Sequence, residues 1–284
     1  MATCRGFCVW RDERDSQRDS VAAANLSTAL AVASRRRRAL WARMIALILT
    51  FVLAGTVKGV TGMGLPTVTM GLLGLIMAPA QAAALLIIPS LATNIWQFAV
   101  GPDPRRPLRR NWPMLIVMAL ATVATAGLMT GAHAAGATLA LGAVLMIYGL
   151  MSLLRIRFAV PRGTEFWVGP LAGAVTGVLT GATGVFVIPA APYLQAIGLE
   201  KEDLVQALGL SFTVSTLGLA AGLLGRGAFH LDAAGASLLC TAPALLGVAA
   251  GQWLRERIDP ETFRRVFFCA MFALGADLAL RAVF

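Results

Sequence analysis

Residues 55–66 read GTVKGVTGMGLP, and residues 173–184 read GAVTGVLTGATG. The glycines of the two stretches align, with an offset that drifts from 118 residues at the start to 120 at the end. A second pair, IPSLATN at 88–94 and LSFTVST at 210–216, aligns at an offset of 122 residues. The drift indicates small insertions, and we interpret the pattern as an internal duplication with a period near 120 residues.

The composition excludes an ordinary soluble protein. Of 284 residues, 58% are hydrophobic and 13% are charged, and the mean hydropathy is +0.75. Soluble domains are about 45–50% apolar and about 25% charged, and a folded globule needs a polar coat. The net charge of +10 forms no basic face interleaved with aromatic residues, so nucleic-acid binding is not expected. Four scattered cysteines and two histidines indicate neither a disulfide framework nor a metal site, and no cofactor is expected.

Ten apolar runs follow Met44 in two sets of five. The runs cover about 44–60, 64–78, 80–100, 112–131 and 134–155, then about 165–181, 184–198, 203–224, 232–254 and 261–283. A helix needs about 20 residues, within a range of about 17–25, to cross the hydrocarbon. Six runs reach that length comfortably, whereas the first two runs of each set are short and interrupted by glycine and proline. Such breaks are tolerated only where protein or an aqueous cavity covers the freed backbone.

These runs predict an all-α, polytopic transmembrane helix bundle made of two repeats, residues 44–160 and 161–284. Because each repeat holds five segments, an odd number, the second repeat must enter the membrane upside down relative to the first. Short, broken helices stand at the start of each repeat. Paired broken segments in the two halves of a transporter are the sequence pattern that indicates its binding site.

The positions of the arginines predict the orientation. They concentrate in three connections, residues 105–110, 155–162 and 255–257. Ten crossings that begin outside at Met44 place all three in the cytoplasm, as the positive-inside bias favours. Residues 1–43, which include four consecutive arginines, are interpreted in two ways. They are a disordered cytoplasmic arm that contacts anionic lipid, in which case one short segment is re-entrant, or a stretch upstream of the real protein, with Met44 as its start.

The first break has the composition of an anion site. Gly59, Gly62 and Gly64 allow the chain to leave helical geometry and expose amide groups, and a proline follows that suits the first turn of a new helix. A helix N-terminus carries partial positive charge and unpaired N–H donors, which favour an anion. Lys58 and Thr61 stand beside this break, and Lys58 is the only lysine or arginine within the first two runs.

The second break repeats this pattern with Thr180, Gly181, Thr183 and Gly184. In an inverted duplication it faces the first break across the duplication axis. The alternative interpretation is that these glycines are close-packing points between helices, since small-xxx-small spacing is common in membranes, and that Lys58 extends to the interface. The repetition in both halves favours a site.

Polar residues on the following helices are the other candidates for substrate contact. Asn94 and Gln97 lie three residues apart on one helix face of the third run. Ser211, Ser215 and Thr216 occupy corresponding places on the eighth run. The alternative is that these side chains form interhelical hydrogen bonds or bond back to their own helix.

The duplicated glycine-rich break, followed by an apolar helix with proline and then a helix bearing Ser, Thr and Asn, resembles the sulfite exporter TauE/SafE family of membrane transporters. The resemblance covers residues 44–283. It implies a secondary carrier for sulfite, sulfonates or other small organic anions in the bacterial inner membrane. The implied partners are the small anion and the lipid bilayer, and a homo-oligomer is compatible with the sequence. Members often carry three consecutive glycines at the break, where this chain has Gly62-Met63-Gly64.

Two classes of function are therefore carried forward. The first is an anion transporter that works by alternating access. The second is a non-transporting membrane subunit or scaffold, in which the repeats are architectural and the breaks pack without a cavity. An anion channel is weaker, because no ring of like charges is evident, and the hydrolase, metal and phosphate-loop motifs of enzymes are missing from the sequence.

Overall fold

The computed structural model describes residues 34–156, 159–161 and 163–283. Within these residues the regular structure is helical and contains no strand. Ten α-helices follow one another: α1 Ser34–Thr61, α2 Leu65–Gly74, α3 Pro79–Ala99, α4 Arg105–Thr125, α5 Ala134–Leu153, α6 Glu165–Thr183, α7 Ala190–Ala196, α8 Lys201–Leu224, α9 Leu231–Arg255 and α10 Pro260–Val283. Each of the ten predicted apolar runs corresponds to one helix.

The chain divides into two compact units. The first unit ends at Leu47, and its described part, residues 34–47, is the largely exposed start of α1. Helix α1 therefore begins ten residues before Met44, while most of the expected N-terminal tail lies outside the described residues. The second unit, Ile48–Phe284, contains the remaining helices.

Among the described helices, eight are long and apolar enough to cross a membrane. The two exceptions are α2 and α7, which at about 1.5 Å per residue reach about 15 Å and 10 Å, short of the roughly 30 Å hydrocarbon core. Only the second helix of each set is thus short. The first helix is longer than its apolar run predicts: α1 extends upstream through arginine, alanine and leucine, which are strong helix formers, and α6 continues through its glycines.

Three ion pairs bring two of the arginine-bearing connections, residues 105–110 and the one that contains Arg155, to the same end of the bundle. Arg106 binds Asp203 at 2.8 Å, Arg110 binds Glu165 at 2.7 Å, and a third pair joins α5 to α10 through Arg155 and Glu261. We call the end of the bundle that holds these pairs the arginine end.

Helices at corresponding places in the two sets run in opposite directions. Helices α3 and α5 finish at the arginine end, where α8 and α10 begin, because the Gln97 amide donates to the Val205 carbonyl at 3.0 Å and α5 meets α10 there. Helix α4 begins at that end and α9 finishes there. Helix α1 runs towards that end and stops short of it at the first break, and α6 begins at that end. Opposed directions in all of these pairs are what an inverted duplication requires, although the duplication itself stays a prediction.

Glycines bring two helix pairs into backbone contact. A Cβ at Gly59 would lie 2.3 Å from the Val248 carbonyl oxygen on α9, and one at Gly177 would lie 2.5 Å from the Met118 carbonyl oxygen on α4. The first helix of each set therefore packs against the fourth helix of the other set through small residues, as is common between membrane helices. This contact explains why the glycines of α6 do not interrupt the helix.

Helix α2 lies beside α10 and runs away from the arginine end. Gly64 faces Phe267, and Gly74, at the other end of α2, faces Leu278. Phe267 is seven residues into α10, so the first break lies about 10 Å below the arginine end. The break is therefore inside the bundle rather than at its surface.

Candidate functional site

The first break is a compact turn between α1 and α2. The Gly62 N–H donates to the Lys58 carbonyl at 2.7 Å, which closes α1. Gly64 has φ 105°, a left-handed conformation that a side chain strains. The hydroxyl of Thr61 accepts from the Met63 N–H at 3.2 Å and donates to the Val57 carbonyl at 2.9 Å. The turn therefore begins α2 without a side-chain cap on its N-terminal amides.

Lys58 is the first member of a buried chain of polar side chains that crosses three helices. Its Nζ donates to Asn94 Oδ1 on α3, and Asn94 Nδ2 donates to Ser90 Oγ at 3.0 Å. Ser90 Oγ lies 3.1 Å from Thr216 Oγ1 on α8, and Thr216 donates to the Phe212 carbonyl at 2.7 Å. All four polar side chains are at most 5% exposed. A tertiary network therefore fixes the position of the lysine.

The hydrogen bonds of this polar chain all have their donors on the side nearer to Lys58. Thr216 uses its proton on its own helix, so Ser90 must be the donor in the bond between the two hydroxyls. Every donor from Lys58 onward then points away from the lysine. An ammonium carries three N–H donors, and Asn94 accepts only one, so the remaining donors of Lys58 have no acceptor among the described side chains.

The second break is longer and contains a non-helical segment. Helix α6 ends at Thr183, Gly184 takes a left-handed φ of 73°, and residues 185–188 run buried to the start of α7. A Cβ at Gly184 would lie 2.9 Å from the Met70 sulfur in the middle of α2. The second break therefore contacts the short helix that follows the first break.

A cavity of about 800 Å³ lies between the breaks and the arginine end. Its buried wall includes Val60 from α1, Ile188 from the second break, and Tyr148 and Phe267 from α5 and α10. Its rim is exposed and includes Arg255. The remaining lining residues are Thr61, Met63, Met151, Ser152, Arg155, Ile156, Ala191, Pro192, Gln195, Ile258, Pro260, Glu261, Phe263, Arg264 and Phe268. The cavity therefore opens at the arginine end and reaches the first break.

The rim carries an excess of positive charge. Glu261 binds Arg155, Arg264 at 3.0 Å and Arg265 at 3.1 Å, so a single carboxylate is shared by three guanidinium groups. Arg255 has no ion pair among the described residues. An anion that enters the cavity meets this charge before it reaches the break.

The predicted site residues divide into three groups. Lys58, Thr61, Gly62, Gly64 and Asn94 lie at or beside the first break, and Thr183 and Gly184 lie at the second. The others lie at helix contacts: Gly59 and Gly181 at the glycine contacts with α9 and α4, Thr180 bonded to its own helix, Ser211 and Ser215 beside the Met118 sulfur, and Gln97 bonded to the Val205 carbonyl.

Asn94 and Gln97, predicted on one helix face as candidates for substrate contact, have different hydrogen-bond partners. Asn94 is buried on Lys58, whereas Gln97, one turn later, is part of an exposed contact with the start of α8. The two serines of α8 likewise face α4 rather than the polar chain, which uses Thr216 instead.

Sequence reasoning missed two hydroxyls on α2. Thr67 and Thr69 are fully buried, and their hydroxyls have no hydrogen-bond partner within the part of the chain that the structure describes. Buried threonines elsewhere, such as Thr176, bond to the carbonyl four residues earlier. For Thr67 that residue is Met63 in the break, outside the helix. A threonine within one turn after a broken helix start is thus a signal that could have pointed to Thr67, whereas the residue four before Thr69 is Leu65, within α2.

The model of the sulfite exporter TauE/SafE family matches residues 47–278, most of the chain. The chain belongs to this family. The match covers both breaks, the polar chain of Lys58 and the cavity. Among curated proteins and among solved structures there is no match to the chain.

Membership in the TauE/SafE family agrees with the helical structure. With eight apolar helices long enough to span a bilayer, the protein is a multi-pass membrane protein of a transporter family. The resemblance inferred from the duplicated glycine break is confirmed by the family match.

Proposed function

We propose that the protein is a secondary transporter of small anions, such as sulfite or a sulfonate, across the bacterial inner membrane. The observation that carries the proposal is the cavity, which joins a positively charged rim to the first break. Family membership supports the anionic class of substrate.

The substrate is held at the inner end of this cavity. Thr61 lines the cavity, and Lys58 precedes it by three residues, about 4.5 Å along the helix axis. The free N–H donors of Lys58 and the uncapped start of α2 provide positive charge in a region from which water is largely excluded. Asn94 orients the lysine, and the rim arginines raise the local concentration of anions.

Transport proceeds by alternating access between two orientations. The arginine end is the cytoplasmic face by the positive-inside bias, so the cavity described here is the inward-open route. The opposed directions of corresponding helices support a second orientation, in which the second break takes the place of the first. A scaffold predicts breaks that pack without a cavity, and the cavity favours the transporter instead.

The test is anion flux in proteoliposomes with variants of the two lysines of the chain. Lys58→Ala removes the buried ammonium and is expected to reduce sulfite or sulfonate flux at least tenfold. Lys201→Ala, at the exposed start of α8, is the matched control and is expected to retain flux. Unchanged flux in Lys58→Ala, with both variants monodisperse in detergent, would remove the lysine from the site.

A further inference from the structure

Lys58 is a buried cationic side chain without a counter-charge. Every ion pair within 4.0 Å among the described residues joins a carboxylate to an arginine, and none of these pairs includes Lys58. Its described partner is the neutral amide of Asn94. A charge held in a low-dielectric interior without a counter-ion is costly, and such a group pairs or gives up its proton.

No described carboxylate on the surrounding elements lies within ion-pair distance of Lys58. Helices α2 and α3 contain no titratable residue, and the part of α9 that faces α1, residues 244–252, contains none. On α8, the charged residues are confined to its first turn, where Asp203 is held by Arg106. On α10 and α5, the nearest groups are the rim cluster of Glu261 with its arginines and Tyr148, whose hydroxyl donates to the Met63 sulfur at 3.4 Å. An entering anion or a lost proton is therefore the way to neutralise Lys58.

We propose that Lys58 is the proton site of the carrier, so that each monoanion crosses together with one proton. The inference rests on the proposed anion transport and adds its coupling ion. In the empty carrier Nζ is a neutral amine bound to Asn94. As the anion enters, Nζ takes a proton from water through its lone pair, and the ammonium pairs with the anion. On the opposite side the anion leaves, the ammonium returns its proton to water, and the neutral amine crosses back.

The polar chain makes the amine suitable for this exchange. Its hydroxyl and amide protons are committed in one direction, towards the Phe212 carbonyl. The chain therefore presents an acceptor to Lys58 and no proton that could replace the one the lysine loses. Proton exchange at Nζ takes place with water, and the cavity that reaches Thr61 three residues away is its route.

The experiment measures proton movement and two modes of flux in proteoliposomes that contain a pH-sensitive dye. The probes are methanesulfonate and 2-hydroxyethanesulfonate, strong-acid anions that carry no proton at neutral pH. In the wild type, net uptake should acidify the lumen by one proton per anion and should be insensitive to a potassium diffusion potential.

The variants separate binding from coupling. Lys58→Arg keeps a permanent positive charge, so the carrier is neutral when it holds an anion and charged when it is empty. Anion–anion exchange uses only the loaded carrier and should persist. Net uptake requires the empty carrier to return and should fall at least tenfold. Lys58→Met should lose both modes, and Lys201→Ala should behave as the wild type. Net wild-type uptake without lumen acidification, or unimpaired net uptake in Lys58→Arg, overturns proton coupling and leaves anion transport intact. An absence of both flux modes in the wild type overturns the proposed transport and the coupling with it.

Discussion

The buried bond between Lys58 and Asn94 gives a quantitative test of the polar chain. Asn94→Leu replaces the amide with an apolar group of similar size, so Lys58 loses its acceptor and Ser90 loses its donor. A buried hydrogen-bonding group left unpaired costs about 1–3 kcal/mol, and Asn94→Leu removes a partner from two such groups, the Lys58 amine and the Ser90 hydroxyl. We expect Asn94→Leu to lower the free energy of unfolding by about 2–3 kcal/mol.

The matched control is Gln97→Leu on the same helix. Gln97 also donates through its amide to another helix, but in an exposed position, where a hydrogen bond contributes about 0.5–1.5 kcal/mol. In a chain of this size about 1 kcal/mol corresponds to about 2–4 °C in Tm. Thermal unfolding is followed by tryptophan fluorescence in detergent, at one pH and one scan rate. The Tm should fall by about 4–12 °C for Asn94→Leu and by less than half as much for Gln97→Leu.

A double-mutant cycle with Lys58→Met completes the test. When both partners are replaced by apolar groups, little unpaired polarity remains, so the double variant should be more stable than Asn94→Leu alone. Equal shifts for Asn94 and Gln97, or strictly additive effects in the cycle, would refute the reasoning that the buried chain holds the lysine.

Three further predictions concern packing, capping and access. Gly177→Leu places a side chain 2.5 Å from the Met118 carbonyl oxygen and should lower the Tm or the folded yield sharply. Gly136→Leu is the control, because a side chain there meets nothing within 4 Å, and it should change neither quantity. Size-exclusion profiles compare the two variants, and equal effects would contradict the packing of α6 on α4. Asp259 precedes α10 and accepts hydrogen bonds from Thr262 and from the Glu261 N–H, which lower its pKa. Its carboxylate should therefore stabilise α10 fully above the usual carboxyl pKa, and this contribution should vanish as the pH falls through the lowered pKa. The Tm difference between wild type and Asp259→Asn should follow this course, and a pH-independent difference would show that the carboxylate does not stabilise the start of α10. Gln195 lines the cavity, so in a background without native cysteines Gln195→Cys should react with a charged thiol reagent added at the arginine end. Ala83 is fully buried, so Ala83→Cys should not react. Protection of Gln195→Cys would show that the cavity is closed at this end.

The helices follow from the sequence because each depends on local composition. Apolar runs of about 20 residues form membrane helices whatever their neighbours are, and glycine and proline mark the two breaks. The lengths of α1 and α6 did not follow from the apolar runs. Arginines extend α1 beyond its apolar stretch, and contact with α4 keeps α6 helical through its glycines.

The candidate site follows from the sequence only in part. Lys58 is visible because a lysine is rare in an apolar run, and Asn94 because its amide needs a partner. That these two bind each other, while Gln97 and Ser211 do not join them, depends on the rotation of α3 and α8 about their axes. No local pattern fixes that rotation.

The sequence by itself determined that the protein is a helical membrane protein with two glycine breaks, because burial of apolar residues and satisfaction of backbone hydrogen bonds are requirements of each segment. The tertiary structure decided which side chains meet. Glycine contacts set the distance between helices, and that distance brings Lys58 to a neutral amide, puts the arginines on one rim and leaves a cavity between them. Contacts between segments far apart in the chain depend on packing, which composition does not encode.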